Sequence, residues 1–451
     1  MRNPFGFRLV APLGLGVSLN PINSTMISTA LVPIALHFDA TAAEAGWVIS
    51  ALYLTTAIAQ PTMGRLADVL GARRILVFSL CLVMLAGIGG ALAPTLATLI
   101  AVRVLLGLGT SGAYPSAMRI IRNQADRYGM MPPRLAMSAV SMAAISTTAI
   151  GPFLGGLLTD AYGWPSIFLI NVPLAALAML LVRRWIPADD TALGSVGKLL
   201  GETDIIGIGL FTLCLLSAML SMDSLHLPAW LGPVVSVSAG LALILHSLRR
   251  PQPFIDARMI IENSPLALTF LRVALNMLVY YGMTYAVAQW LQVGAGHSSA
   301  EAGLIMMPMS IAAVACTFLG GFIKTIKTNF MLGPLTAIGG CIAMILTHDH
   351  TPAPLIALGL VPFGITLGIF ASATQAAVYL QARPSEAGTA AGLQRTAASI
   401  GAISGATIIG SVYGIRASEQ GLHQLAFIMI GVSILVFAIS SLDRRLGTLR
   451  L

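Results

Sequence analysis

Charge is what this chain has least of. Asp, Glu, Lys and Arg together make up 9 % of its 451 residues, against about a quarter in an ordinary soluble domain, so a soluble globular protein is excluded. Cysteine is scarce as well. Cys81, Cys214, Cys316 and Cys341 lie inside apolar runs at unrelated spacings, which fits buried free thiols and argues against a disulfide framework. Acidic residues are absent from the middle of every apolar run; each Asp and Glu falls in a polar gap or beside the end of a run. No phosphate-binding loop and no nucleophile–base arrangement occurs, so neither an enzyme nor a cofactor is expected. His348-Asp349-His350 could chelate a metal, but it has no further ligand signal and reads as a solvated outer loop. The first apolar run, 9–36, is too long for a cleavable signal peptide and lacks a small-residue cleavage site.

What is present is apolar sequence. Hydrophobic residues reach 57 % and the mean hydropathy is +0.87. A spanning helix needs about 20 apolar residues, and the uncharged runs place fourteen: near 9–36, 45–64, 75–93, 96–118, 135–159, 161–182, 205–222, 227–246, 264–292, 302–323, 328–347, 354–379, 386–413 and 424–442. Barrel strands are shorter and alternate in polarity, so these runs predict helices. All 25 Lys and Arg except Arg103, Arg272, Arg395 and Arg416 fall at the termini or in alternate gaps between the runs. That is the positive-inside pattern. It predicts an even number of spans and cytoplasmic termini, in a bacterial inner membrane or an equivalent plasma membrane. The net charge of +8 then faces anionic lipid headgroups and not nucleic acid.

Two polar stretches, 183–204 and 249–262, flank a two-helix hairpin. Setting the hairpin aside leaves six spans on each side. The expected organisation is an N-terminal half at 1–182, linkers and hairpin at 183–262, and a C-terminal half at 263–451. Equal halves suggest a duplicated transporter fold.

Several stretches resemble known signatures. Gly64-Arg65-Leu66-Ala67-Asp68-Val69-Leu70-Gly71-Ala72-Arg73-Arg74 resembles the major facilitator loop Gly-x-Leu-Ala-Asp-Arg-x-Gly-Arg-Arg, departing from it at Val69 and Ala72. Its glycines permit a turn, and Asp68 can neutralise the positive end of a neighbouring helix. The resemblance implies that this neighbour is span 13, beginning near Pro384-Ser385-Glu386, and that the loop acts as a gate. The matching stretch 320–327 keeps glycines and charge but lacks the Asp, as a decayed repeat would. Thr147-Thr148-Ala149-Ile150-Gly151-Pro152-Phe153-Leu154-Gly155-Gly156 resembles the Gly-Pro-x-x-Gly-Gly antiporter motif. Gly151 and Gly155 form a small-xxx-small face, and Pro152 permits a kink. Trp164-Pro165-Ser166-Ile167-Phe168-Leu169-Ile170-Asn171-Val172-Pro173 resembles the fourteen-span drug:proton antiporter-2 family of the major facilitators. So do Asp204-x-x-Gly207, Trp290-Leu291-Gln292 with Ala300-x-Ala302-Gly303 and Pro308, and Gly388-x-Ala390-x-Gly392-x-x-Arg395 with Gly401. The resemblance covers essentially the whole chain. It implies a fourteen-helix major facilitator fold and proton-coupled export of drugs or related amphipathic small-molecule substrates by alternating access. A carrier for one metabolite or organic anion, and a non-transporting sensor, remain alternatives.

Arg103, in Arg103-Val104-Leu105-Leu106-Gly107, resembles the family's buried arginine. A charge inside a spanning helix is costly and normally faces a polar interior, so a part in the mechanism is expected. Arg272 lies nearer the cytoplasmic end and either faces a cavity or snorkels. Polar stripes at four-residue intervals run along span 1 (Asn20, Ser24, Ser28, with Asn23 beside them) and span 9 (Arg272, Asn276, Tyr280, Thr284). In the family these helices line the central cavity; interhelical hydrogen bonding is the other reading. Related exporters often carry an acid in span 1, where this chain has Asn23 and Ser24. Two embedded arginines with no evident acid point to neutral, zwitterionic or anionic substrates.

Overall fold

The computed structural model describes residues 4–131, 133–189, 204–220, 230–251, 253–320, 325–382 and 387–448, and its regular elements are helices. They are α1 (Phe7–His37), α2 (Ala42–Leu70), α3 (Ala72–Ala91), α4 (Leu96–Arg127, interrupted at Gly112), α5 (Arg134–Tyr162), α6 (Ser166–Trp185, with a turn at Ile170) and α7 (Ile205–Leu220). There follow α8 (Leu231–Arg249), α9 (Ser264–Val293), α10 (Ser299–Gly320), α11 (Ile326–Ile345), α12 (Ala353–Gln381), α13 (Ala387–Tyr413) and α14 (Glu419–Leu442). A short helix, Ala257–Glu262, precedes α9.

Twelve helices among the described residues are long and apolar enough to cross a membrane, against the fourteen expected. The difference lies in α1 and α7. α1 has 31 residues, but Asn20, Asn23, Ser24, Thr25, Ser28 and Thr29 dilute its hydropathy. α7 is wholly uncharged, but its described part has 16 residues.

Apolar runs take the helical form because a helix satisfies its own backbone polar groups without water. Local signals fix the ends. Thr41 and Glu44 form a capping box at the start of α2, and Ser418 caps α14. Close packing follows small residues. α1 lies on α5 and α9 on α13, with Gly282 and Gly405 meeting in the second pair. α2 packs along α13, and α10 packs on both α5 and α12.

The hairpin α7–α8 is fixed through Asp204, which is 1 % exposed. Its carboxylate accepts the Gly207 and Phe254 N–H groups, both at 2.9 Å, and meets His246 Nε2 at 2.7 Å. Phe211 and Phe254 then pack on Ala57 of α2 and Ile400 of α13. Outward, α8 exposes Val234, Val237, Leu241, Ile244 and Leu245, a surface suited to lipid. All four cysteines are free thiols.

Candidate functional site

The interior where α1, α2, α4 and α9 converge is polar. Arg103, 1 % exposed, donates from Nε to the Val48 carbonyl at 2.9 Å and from Nη1 to the Asn23 carbonyl at 3.3 Å. Nη2 is buried without a protein partner, and among the described residues no carboxylate pairs with this guanidinium. The next carbonyl of α1, that of Ser24, accepts the Tyr285 hydroxyl at 2.7 Å. Tyr53 Oη lies 3.1 Å from Tyr285 Oη, and Tyr281 stacks on Tyr285 with centroids 5.7 Å apart. A fixed cation beside three phenols thus gathers buried polar groups and aromatic faces in a low-dielectric setting. Sequence reading missed the tyrosines, which look like ordinary apolar filler in one dimension.

Of the polar stripes, Asn20, Asn23 and Arg272 reach other helices, and the rest bond or pack largely within their own. Asn20 donates to Thr110 Oγ1 of α4 at 2.9 Å. Asn23 exchanges amide hydrogen bonds with the buried Asn171 of α6, at 2.5 and 2.8 Å. Ser24 and Ser28 turn back onto the carbonyls of Asn20 and Thr25 in their own helix. On α9, Thr284 donates to the Tyr280 carbonyl, Tyr280 packs edge-on against Tyr281, and Asn276 is buried with Nδ2 unpartnered.

Arg272 requires a correction. It neither snorkels nor lacks a counter-ion: fully buried, it donates from Nη2 to Asp443 Oδ2 at 2.7 Å and to the Ile439 carbonyl at 3.1 Å. Its guanidinium also lies 5.5 Å from the centre of the Phe330 ring. Asp443 stands just past α14, in a polar terminal stretch, and nothing in the linear pattern marked it as buried.

At the Gly64–Arg74 loop, Gly71 takes φ 103°, and an added Cβ would strike the Asp189 side chain. Asp189 accepts the N–H groups of Arg73 at 3.1 Å and Arg74 at 3.0 Å, capping α3. Arg73 Nη2 also reaches the Arg183 carbonyl at 2.9 Å, and Arg74 Nη1 the Leu70 carbonyl at 3.1 Å. Asp68 pairs with Arg119 of α4 at 3.2 Å, and Gly64 lies against Pro115. A cavity of about 390 Å³ opens between Asp68, Arg119, Asn123, Arg127 and Asp189. The start of span 13 near 384–386, the expected neighbour of Asp68, lies outside the described residues. Further along α13, Arg395 sits 3.6 Å over the Tyr114 ring of α4.

The Gly-Pro-x-x-Gly-Gly segment is held on two sides. A Cβ on Gly151 would strike Thr25, and one on Gly155 the Met26 main chain, both on α1. Gly156 faces the Ser299 carbonyl, and Gly303 of α10 faces the Pro152 carbonyl. Thr29 Oγ1 donates to that same Pro152 carbonyl at 3.1 Å. At the end of α5, Asp160 accepts the N–H groups of Ser299 at 3.1 Å and Ala300 at 3.0 Å. A carboxylate of one helix thus caps another helix, α10, which sequence reading did not anticipate.

The sequence profile of the Major Facilitator Superfamily matches residues 13–406. The MFS-type transporter YwoD of Bacillus subtilis is 32 % identical over 434 residues, which cover 93 % of this chain and 94 % of the relative. The methylenomycin A resistance protein of Streptomyces coelicolor is 26 % identical over 456 residues, covering 97 % and 92 % respectively. Among solved structures, a bacterial homologue of the human lysosomal transporter Spinster, inward-facing and unoccupied, aligns with a TM-score of 0.69. That alignment covers 99 % of this chain and 98 % of the other at 17 % identity, a likeness of fold.

Proposed function

The chain belongs to the Major Facilitator Superfamily and is a transporter, not an enzyme, and from that premise we propose that it exports amphipathic compounds in exchange for protons. We assign it to the fourteen-span drug:proton antiporter-2 type, in an inner membrane with both termini cytoplasmic. α1 and α7 complete the fourteen spans. The polar α1 runs through the centre of the bundle, and α7 pairs with the spanning helix α8. Residues 1–182 and 263–451 act as two halves that rock about the substrate. The equivalent close pairs α1–α5 and α9–α13, and the reciprocal contacts α2–α13 and α5–α10, support that division.

The observation that carries the proposal is the Arg103–Tyr285–Tyr53 cluster, which gathers α1, α2, α4 and α9 around buried polar groups. Arg103 and the tyrosines, with Asn20, Ser24 and Asn276 nearby on the same helices, form the substrate site. Asp68 and its loop form the cytoplasmic gate, and Gly151, Pro152, Gly155 and Gly156 form the hinge. Proton coupling rests on the antiporter motif and on the resistance-type relative. A carrier for one organic anion is the second reading, favoured by the absence of a described carboxylate beside Arg103.

Inverted membrane vesicles test the choice. With an imposed pH gradient they should accumulate several unrelated amphipathic compounds, and a protonophore or Arg103→Ala should abolish this. Saturable uptake of a single anionic class, insensitive to the gradient, would replace the exporter with the anion carrier.

A further inference from the structure

At the end of the bundle opposite the Gly64–Arg74 loop, the start of α2 lies beside the residues that lead from α13 to α14, with Ala42 N donating to the Ile415 carbonyl at 3.3 Å. There the turn between α11 and α12 meets the first turns of α14. His348 Nδ1 lies 2.8 Å from Glu419 Oε1. His423, one helical turn beyond Glu419 and on the same face, brings its ring centre within 5.8 Å of that of His348. One potential ligand atom from each of the three residues falls within 4.8 Å of the other two. The linear sequence hides this arrangement, because 71 residues separate His348 from Glu419.

Three features favour a metal ion over a simple ion pair. Two imidazoles and a carboxylate are a donor set that zinc accepts, with water or another ligand completing a tetrahedron. Two of the donors are also held from behind. His423 Nε2 meets the Thr347 carbonyl at 2.9 Å and Glu419 Oε2 accepts the Asp349 N–H at 3.0 Å, while for His348 it is the main-chain N–H that donates to Thr351 Oγ1 at 2.8 Å and fixes the turn rather than the ring. Outer hydrogen bonds of this kind orient metal ligands. Finally, the turn is pinned independently, since Asp349 Oδ1 accepts Trp290 Nε1 of α9 at 3.1 Å. The His348 side chain is 65 % exposed, so a hydrated ion can reach it.

We propose that His348, Glu419 and His423 form a binding site for a divalent transition metal, Zn²⁺ by donor type, which clips the α11–α12 turn to α14. Ligand atoms bound to zinc at about 2.0–2.2 Å stand roughly 3.4 Å apart in a tetrahedron. Reaching that geometry takes side-chain adjustment: His348 Nδ1 and Glu419 Oε1, now 2.8 Å apart, separate, and the wider spacings, up to 4.8 Å, close.

The test uses the full chain, purified in detergent, stripped with chelator and titrated calorimetrically with Zn²⁺ alone. One saturable site per chain is expected. His348→Ala, Glu419→Gln and His423→Ala should each weaken it by more than about 100-fold, beyond the roughly 10–100-fold loss typical of an outer hydrogen-bond partner. His297→Ala, which removes the other exposed His–Glu pair (His297 Nδ1 to Glu301 Oε2, 3.4 Å), should leave it unchanged. Co²⁺ in place of Zn²⁺ should give the visible bands of a tetrahedral site in the wild type and none in Glu419→Gln. Absence of a saturable site, equal affinity in the His348→Ala/His423→Ala double variant, or an equal loss in His297→Ala would each overturn the proposal. None of these readouts depends on transport.

Discussion

The two buried arginines keep different company. Arg103 faces main-chain carbonyls and phenols, whereas Arg272 faces Asp443, whose side chain is 6 % exposed. Removing one partner of a buried pair leaves the other charge stranded, at a cost of about 3–5 kcal/mol. Arg272→Ala should therefore lower the unfolding temperature of the purified protein sharply, with transport of cationic, neutral and anionic compounds falling together. Arg272→Ala/Asp443→Ala should recover much of the loss. A selective defect toward anions at unchanged stability would return Arg272 to the substrate site. The glycines of α5 allow an equally specific test. Gly151→Ala places a methyl group against Thr25, an overpacking worth about 1–3 kcal/mol, and Thr25→Gly should restore stability because the obstruction is a side chain. Gly155→Ala meets the Met26 main chain instead, so no single side-chain truncation should rescue it. Melting curves of Gly151→Ala, Gly151→Ala/Thr25→Gly and Gly155→Ala decide both points.

Between elements, two carboxylates act as fasteners. Asp160 holds the start of α10 to the end of α5. A cap of this kind contributes about 0.5–2 kcal/mol, and 1 kcal/mol changes a two-state ratio about fivefold. Asp160→Ala should accordingly enrich states in which these two ends are apart. Distances between spin labels at the end of α5 and the start of α10 should lengthen, and an unchanged distribution would exclude the role. Asp204 fastens the hairpin and carries a pH signature. Burial pushes its pKa up, but the N–H groups of Phe254 and Gly207 and the ring of His246 more than compensate, and the net shift is downward. A depressed native value means that the stabilisation is complete above the unfolded value of about 4 and fades as pH falls through the native one. Thermal scans across that range should show wild type losing stability on acidification. Asp204→Asn should start lower at neutral pH and change less.

For the whole molecule, the arrangement of helices across the membrane can be checked with two cysteines. Pro94→Cys, after α3, and Ala188→Cys, after α6, should react with an impermeant maleimide from opposite sides, Ala188→Cys from the cytoplasm. Labelling from one side would remove the proposed topology. Helix positions were readable from sequence because length and charge placement alone determine what crosses a bilayer. The site was less readable. A four-residue interval identifies a polar face but not its neighbour, so Asn23 gave no hint of Asn171, nor Arg272 of Asp443. Tyr53 and Tyr285 were passed over because an aromatic ring in an apolar run has no signature until its hydroxyl finds a partner. α1 fell short of ordinary spanning hydropathy for a related reason: its amides are satisfied by Thr110 and Asn171 of other helices, and most of its hydroxyls by its own carbonyls. Where α5 meets α10, at Gly156 against Ser299 and Gly303 against Pro152, backbone lies on backbone. Such faces have no side-chain ridges to lift out of grooves, so they can slide like a plain bearing instead of jumping like gear teeth. Under the proposed alternating access, the two hydrogen bonds of Asp160 at the rim would be among the ties that must break before these helix ends part.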